Sequence, residues 1–137
     1  MTKAIPTVAK YMTLLPHTIG PQLSLSLARK RFDEHKIRHL PVLSGGKIVG
    51  LLSERDMNLL ATFKGVDMEA SKVSDAMVSD PYVVTPDAPL TTVVAEMAER
   101  KLGSAIVVET NGTLVGIFTY IDALRTLAEV FDHRLKK

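Results

Sequence analysis

The chain contains no cysteine and no tryptophan. Without thiols there is no disulfide, no thiolate metal site and no cysteine nucleophile, a composition that suits a reducing compartment. Aromatic residues make up only 5% of the 137 residues while 46% are hydrophobic, so a core must be built from Leu, Val, Ile, Ala and Met. A chain of this length supports one compact domain, or two subdomains sharing a core, and buries roughly two-thirds of the surface exposed on unfolding. No apolar run approaches the ~20 residues of a membrane helix. The start, Met1 to Met12, lacks the apolar segment of a secretory signal. The expectation is a soluble cytoplasmic protein with no membrane association.

Net charge is +2, but its distribution is uneven: residues 1–65 hold ten Lys/Arg against four Asp/Glu, and residues 66–137 hold seven against eleven. Such asymmetry points to an anion meeting the first half, to attraction between halves of two chains, or to unevenly solvated faces.

What the chain does have is a repeat. Val8, Met12, Pro16, Pro21, Leu25, Ile37 and Val42 fall on Val73, Met77, Pro81, Pro86, Leu90, Leu102 and Val107 at an offset of 65. A one-residue insertion in the following turn raises the offset to 66, so that GGKIVGLL falls on NGTLVGIF. The division predicted is residues 1–65 and 66–137, with cores at about 8–62 and 73–128 joined by the polar stretch Lys64 to Lys72. Each copy reads as a short helical turn (Thr7–Met12, Lys72–Met77), a brief extended segment (His17–Ile19, Tyr82–Thr85), an amphipathic helix, a β-hairpin and a second helix. Ser24 is a candidate N-cap for a stripe of Leu25, Ala28, Phe32 and Ile37. Pro89 suits a first helical position ahead of Leu90, Val93, Met97 and Leu102. Ser44-Gly45-Gly46 and Thr110-Asn111-Gly112 carry hairpin chemistry. The predicted fold is α/β, with β-α-β-β-α written twice. One small sheet with helices on one face leaves an apolar surface that a second copy about a pseudo-twofold can cover.

The most informative repeated phrase is GLLSERD (Gly50 to Asp56) and GIFTYID (Gly116 to Asp122). Each passes from an apolar strand into a helix start. A helix N-terminus offers free N–H groups and partial positive charge. Ser53 or Thr119 places a hydroxyl there, and Asp56 or Asp122 lies one turn on, where a carboxylate can accept both hydrogens of a vicinal diol such as ribose. Gly50 or Gly116 lets backbone or ligand approach closely. The same residues also form an ordinary capping box, and duplication does not remove that reading.

With these motifs in hand, the sequence resembles a tandem pair of cystathionine-β-synthase (CBS) domains, a Bateman module. The resemblance rests on YMTLLPHTI, IRHLPVL and KIVGLLSERD in the first repeat and on AMVSDPYVVTPDAPL, LGSAIVV and TLVGIFTYID in the second. It implies small sheets with helices packed between them, a homodimer, and binding of AMP, ADP, ATP or sometimes S-adenosylmethionine in clefts between the repeats. It implies a sensor that signals to a partner protein, with no catalysis and no required cofactor. Carried over by position, the first site would use Asp56 for ribose, Ser53 on the phosphate side, and Thr18, Ile19, His39, Leu40 and Pro41 around the base. The second would use Asp122 and Thr119 in the same roles, with Val83, Val84, Ser104, Ala105 and Ile106 lining the base pocket.

The copies differ where charge matters. Arg38-His39 stands where the second copy has Gly103-Ser104, and Arg55 where it has Ile121. The first site is therefore expected to prefer a phosphorylated nucleotide, and the second to hold adenosine more weakly, a less anionic ligand, or nothing. The competing reading makes Arg38 and Arg55 surface or dimer charges. Other constellations are weaker. Among His17, His35, His39 and His133, the pair His35 and His39 is four apart, but the helix should end between them, so no metal site is expected. The basic run ARKRF (Ala28 to Phe32) is followed at once by Asp33 and Glu34 and reads as a solvated face, and no aromatic platform for nucleic acid accompanies it. A ligand-free dimerisation module and a nucleic-acid binder remain as alternatives.

Overall fold

The computed structural model describes residues 4–132. The elements are α1 (Val8–Tyr11), β1 (Thr13–Leu14), α2 (Leu25–His35), β2 (His39–Ser44), β3 (Lys47–Ser53), α3 (Glu54–Ala61), α4 (Val73–Ala76), β4 (Val83–Val84), α5 (Leu90–Arg100), β5 (Ser104–Val108), β6 (Leu114–Thr119) and α6 (Tyr120–Asp132). This is the predicted α/β order, with a hairpin and a following helix in each repeat.

The compact units do not follow the sequence repeats. One unit is Pro16–Pro81; the other takes the chain up to Leu15 together with the chain from Tyr82. The physical reason lies in the first segment of each repeat. Thr13 and Leu14 pair antiparallel with Ile117 and Gly116 of the second repeat's hairpin. In the same way Val78 of the second repeat bridges Leu51 of the first, with N–O distances of 2.9 Å in both directions. Counted by compact unit, Pro16–Pro81 holds nine Lys/Arg against eight Asp/Glu, so the positive excess of residues 1–65 is not concentrated in it.

The exchange explains the repeated glycines. A Cβ on Gly50 would lie 2.6 Å from Met77 Sδ and 2.8 Å from the Val78 carbonyl oxygen. A Cβ on Gly116 would lie 2.6 Å from Met12 Sδ and 2.9 Å from the Thr13 oxygen. Each hairpin glycine thus accommodates the methionine and backbone of the segment supplied by the other repeat, not a ligand.

Within the Pro16–Pro81 unit, β2 and β3 form an antiparallel hairpin turned by Gly45 and Gly46 at φ 61° and 79°, the left-handed values that a two-residue hairpin turn requires. Ile19 bridges Val42 in parallel, so the predicted extended segment His17–Ile19 is reduced to a single pair. Ile19, Leu25, Ala28, Phe32, Leu40, Val42, Leu52, Met57 and Val73 make its core. In the other unit the sheet order is β1-β6-β5-β4, with β4 parallel to β5. Its core is Val8, Leu90, Val93, Met97, Ala105, Val107 and Phe118. Both hairpins carry a bulge at the equivalent place, between Val42 and Leu43 and between Val107 and Val108.

Helix ends follow local chemistry. Ser24 Oγ accepts from Leu27 N at 3.1 Å, as predicted. Pro89 sits one residue earlier than expected, as the N-cap of α5 with extended backbone; its carbonyl accepts from Val93 N at 3.1 Å. Ile37 and Leu102 lie beyond their helices instead of on the stripe. Lys36 and Lys101 turn left-handed at φ 53° and 56°, and the next amides reach back to Phe32 and Met97 carbonyls at 3.2 and 2.8 Å. This closing turn brings the following apolar residue back onto the core. No helix among the described residues is long and apolar enough to cross a membrane.

Candidate functional site

Strand alternation divides the predicted site residues into two groups. Leu40 and Ala105 have side chains in the helix-covered cores, so only their main chains could meet a ligand. Ile19 is likewise a core residue. Their neighbours His39, Pro41, Ser104 and Ile106 project to the opposite face of the strands, because successive side chains alternate.

In the Pro16–Pro81 unit, His39 pairs with Ser53 at the end of the hairpin. Ser53 caps α3, its Oγ accepting from Asp56 N at 3.0 Å. Glu54 N donates to the Arg38 carbonyl at 2.9 Å, which ties the start of β2 to the start of α3. Asp56 is half-buried, and among the described residues its carboxylate makes no hydrogen bond or ion pair. The acid does reach His39 electrostatically. Burial lowers the imidazole's pKa below 6.5 and Arg38 adds to this, while Asp56 pulls the other way. Thr18 is fixed through its carbonyl, which accepts from Arg31 Nη1 at 2.6 Å, and Ile19 N donates to the Pro41 carbonyl at 3.1 Å. Arg38 and Arg55 are exposed. A concavity of about 270 Å³ adjoins this corner, lined by Phe32, Asp33, Lys36, Ile37, Arg38 and Glu54; its two cations are matched by two acids, and Asp56 does not line it.

The other unit repeats the corner with different chemistry. Ser104 pairs with Thr119, and Tyr120 N donates to the Gly103 carbonyl at 3.0 Å. Asp122, 7% exposed, accepts at both carboxylate oxygens. Thr119 N donates to Oδ2 at 2.9 Å and Thr119 Oγ1 to the same oxygen at 3.3 Å. Thr13 Oγ1 donates to Oδ1 at 3.2 Å. Here the carboxylate finishes its own helix turn, as the capping-box reading requires. Ser104 Oγ is buried with no hydrogen-bond partner among the described residues. Val83 and Val84 pair with Ile106 and Val107; Val83 is exposed and Val84 packs on the core.

Sequence reasoning missed Thr13. It lies 109 residues from Asp122 and joins it only through the exchanged segment; the one available signal was Thr13 standing against Val78 in the aligned repeats. The structure also pairs histidines that sequence spacing did not. His17 and His35 stack with ring centroids 3.6 Å apart, while the equivalent Tyr82 and Arg100 make a cation–π contact at 5.4 Å. His133 lies outside the described residues. Among the described residues no cluster of three His, Cys, Asp or Glu is placed to hold a metal.

The chain is similar to several known proteins. Inosine-5′-monophosphate dehydrogenase of Korarchaeum cryptofilum (strain OPF8) is 30% identical over 134 residues, covering 98% of this chain and 27% of the dehydrogenase. The chain thus spans about a quarter of that relative's length. The CBS domain pair of protein MJ0100, solved in complex with 5′-methylthioadenosine and S-adenosyl-L-methionine, superposes with a TM-score of 0.81 at 25% identity, covering 91% of this chain and 98% of that one. CBSX2 in complex with AMP superposes with a TM-score of 0.79 at 26% identity, covering 91% and 98%. The CBS domain model matches residues 1–59 and again 73–129, and the chain belongs to the CBS domain family, as a tandem pair.

Proposed function

We propose that the chain is a regulatory module, not an enzyme, which binds an adenine nucleotide of the AMP, ADP or ATP type and signals its presence to a partner protein. The observation that carries the reading is the corner of Ser53 and Asp56. A capped helix start offers amide hydrogens to a phosphate, and beside it a half-buried carboxylate makes no hydrogen bond among the described residues. Arg38 and Arg55 add local positive charge where the other unit has Gly103 and Ile121. The adenosine compounds held by CBSX2 and the MJ0100 pair support the same ligand class. Thr18, Ile19, His39, Leu40 and Pro41 would surround the base, Ile19 and Leu40 through main-chain atoms. A corresponding site at Thr119 and Asp122, with Val83, Val84, Ser104, Ala105 and Ile106, would hold a less anionic adenosine compound more weakly, S-adenosylmethionine included. Binding acts as a signal only if the ligand prefers one conformation.

Calorimetric titration of AMP and ATP into wild-type, Arg55→Ala and Ile121→Arg proteins tests this. The first variant should weaken nucleotide binding about tenfold, the value of one charge-assisted hydrogen bond. The second should strengthen binding at the other corner. Unchanged affinity in Arg55→Ala would falsify the phosphate assignment.

A homodimer is part of the proposal. Leu124, Leu127 and Phe131 lie along one side of α6 and are 52 to 64% exposed, an apolar stripe suited to a second copy of the chain. Sedimentation equilibrium of Leu124→Glu should give a monomer.

A further inference from the structure

We infer that Arg31 is a positioning residue for the corner at Ser53 and Asp56: its guanidinium holds the Thr18 wall where Pro41 cannot make the sheet bond that does so in the other unit. This deepens the nucleotide reading above and rests on it, since it takes Thr18 as a wall against the base.

The extended segment that opens each site is tied down differently in the two units. Beside β5, Val83 and Val84 pair in parallel with Ile106 and Val107, and Ile106 N donates to the Tyr82 carbonyl at 2.9 Å. In Pro16–Pro81 the pairing starts one residue later. Ile19 bridges Val42, with Ile19 N donating to the Pro41 carbonyl at 3.1 Å and Leu43 N to the Ile19 carbonyl at 2.9 Å. A strand residue turns its N–H and C=O toward the same neighbour, so position 41 faces His17 as Ile106 faces Tyr82. Proline has no N–H to give. The pair that would join Thr18 to the sheet is therefore missing, and His17 and Thr18 stand outside it.

Helix α2 makes up the loss. Arg31 Nη1 donates to the Thr18 carbonyl at 2.6 Å. His35, one helical turn on, stacks on the His17 ring at 3.6 Å. Side chains four apart share a helix face, so one face of α2 grips two successive residues of the segment. The other unit has Glu96 and Arg100 at these places. A carboxylate cannot donate to a carbonyl, and Glu96 instead accepts from Arg100 Nη1 at 3.4 Å. Of the two equivalent helix positions, the one with a donor thus belongs to the unit whose sheet lacks one.

The test reads the Ile19 and Leu43 amides by NMR, for hydrogen exchange and for the response to adenosine. Adenosine carries no phosphate, so it does not sense the lost charge of Arg31. Arg31→Met keeps the apolar stem and removes the donor. It should speed exchange at both amides about tenfold, the worth of one hydrogen bond to a charged group, and weaken adenosine binding about fivefold. Pro41→Ala supplies the missing N–H, so in that background the same Arg31→Met change should alter either readout less than about twofold. Arg31→Lys keeps a charged donor and should stay within about twofold of wild type in both; it serves as the rescue if Pro41→Ala fails to fold. Wild-type exchange and affinity in Arg31→Met, an equal loss with and without Pro41→Ala, or an equal loss in Arg31→Lys overturns the inference and leaves the nucleotide reading in place. No adenosine binding by the wild type overturns that reading, and exchange alone then decides whether Arg31 ties Thr18 down.

Discussion

The two units place a hydroxyl and an acid at the same strand-to-helix junction and surround them differently. At the junction in Pro16–Pro81, Asp56 is half-buried and its carboxylate makes no hydrogen bond among the described residues, with His39 and two arginines near it. In the other unit Asp122 is buried and accepts from Thr119 and Thr13, opposite a neutral Ser104. The same spacing of Ser/Thr and Asp thus serves as a ready acceptor in one place and a completed helix cap in the other. What separates the two is that the Thr119 amide and the Thr13 hydroxyl both donate to Asp122, whereas at the other corner Asp56 N donates to Ser53 Oγ, the exchanged segment brings valine, and histidine instead of serine opens the hairpin.

The sharpest way to break the equivalence of the units is at the glycines they share. Gly50→Val and Gly116→Val should each destabilise the protein by about 3 kcal/mol, since the new side chain meets a backbone carbonyl that cannot move aside cheaply. Thermal melts would read this, and equal losses would show that both exchanged segments matter alike. Next come the two acids. Asp122→Ala should cost about 1–2 kcal/mol in urea unfolding, by leaving the Thr119 amide and Thr13 hydroxyl without their acceptor. Asp56→Ala should cost less than about 1 kcal/mol, mainly its favourable place in the first turn of α3, while nucleotide binding is lost.

Ser104→Ala should move stability the other way, by about 1 kcal/mol, because it removes a buried hydroxyl that has no partner among the described residues. A loss in urea stability would mean that the hydroxyl is satisfied in solution.

The smallest effect concerns acid. The folded chain holds the His39 imidazole below its ordinary 6.5, through burial first and Arg38 second, with Asp56 opposing. The unfolded chain therefore takes up that proton first as pH falls. Stability from this group is complete above about pH 6.5 and declines as pH drops toward the folded value. His39→Gln should flatten that limb of a urea-midpoint profile, whereas changes at Ser104 should leave its slope unchanged.

Much of this architecture was legible in the primary structure. The offset of 65 identified two copies, Ser24 announced the start of α2, and the glycine turns announced both hairpins. Local chemistry sufficed there, because caps and turns are decided within a few residues. The division into compact units was not legible, since exchanging the first segments leaves the periodicity untouched. Nor was the inward or outward role of Leu40 and Ala105 certain until strand pairing fixed which face meets the helices. Ile37 and Leu102 fitted a helical stripe by spacing, yet they pack from closing turns beyond the helix ends.

The sequence by itself determined that the chain is a doubled β-α-β-β-α unit with an aliphatic core and one hydroxyl–acid pair per repeat, because periodicity, turns and caps are encoded locally. Only the tertiary structure decided that these two pairs are unlike. Thr13 and Asp122 are 109 residues apart, and a hydrogen bond over that separation exists only once the segments have changed places and the glycines have let them in.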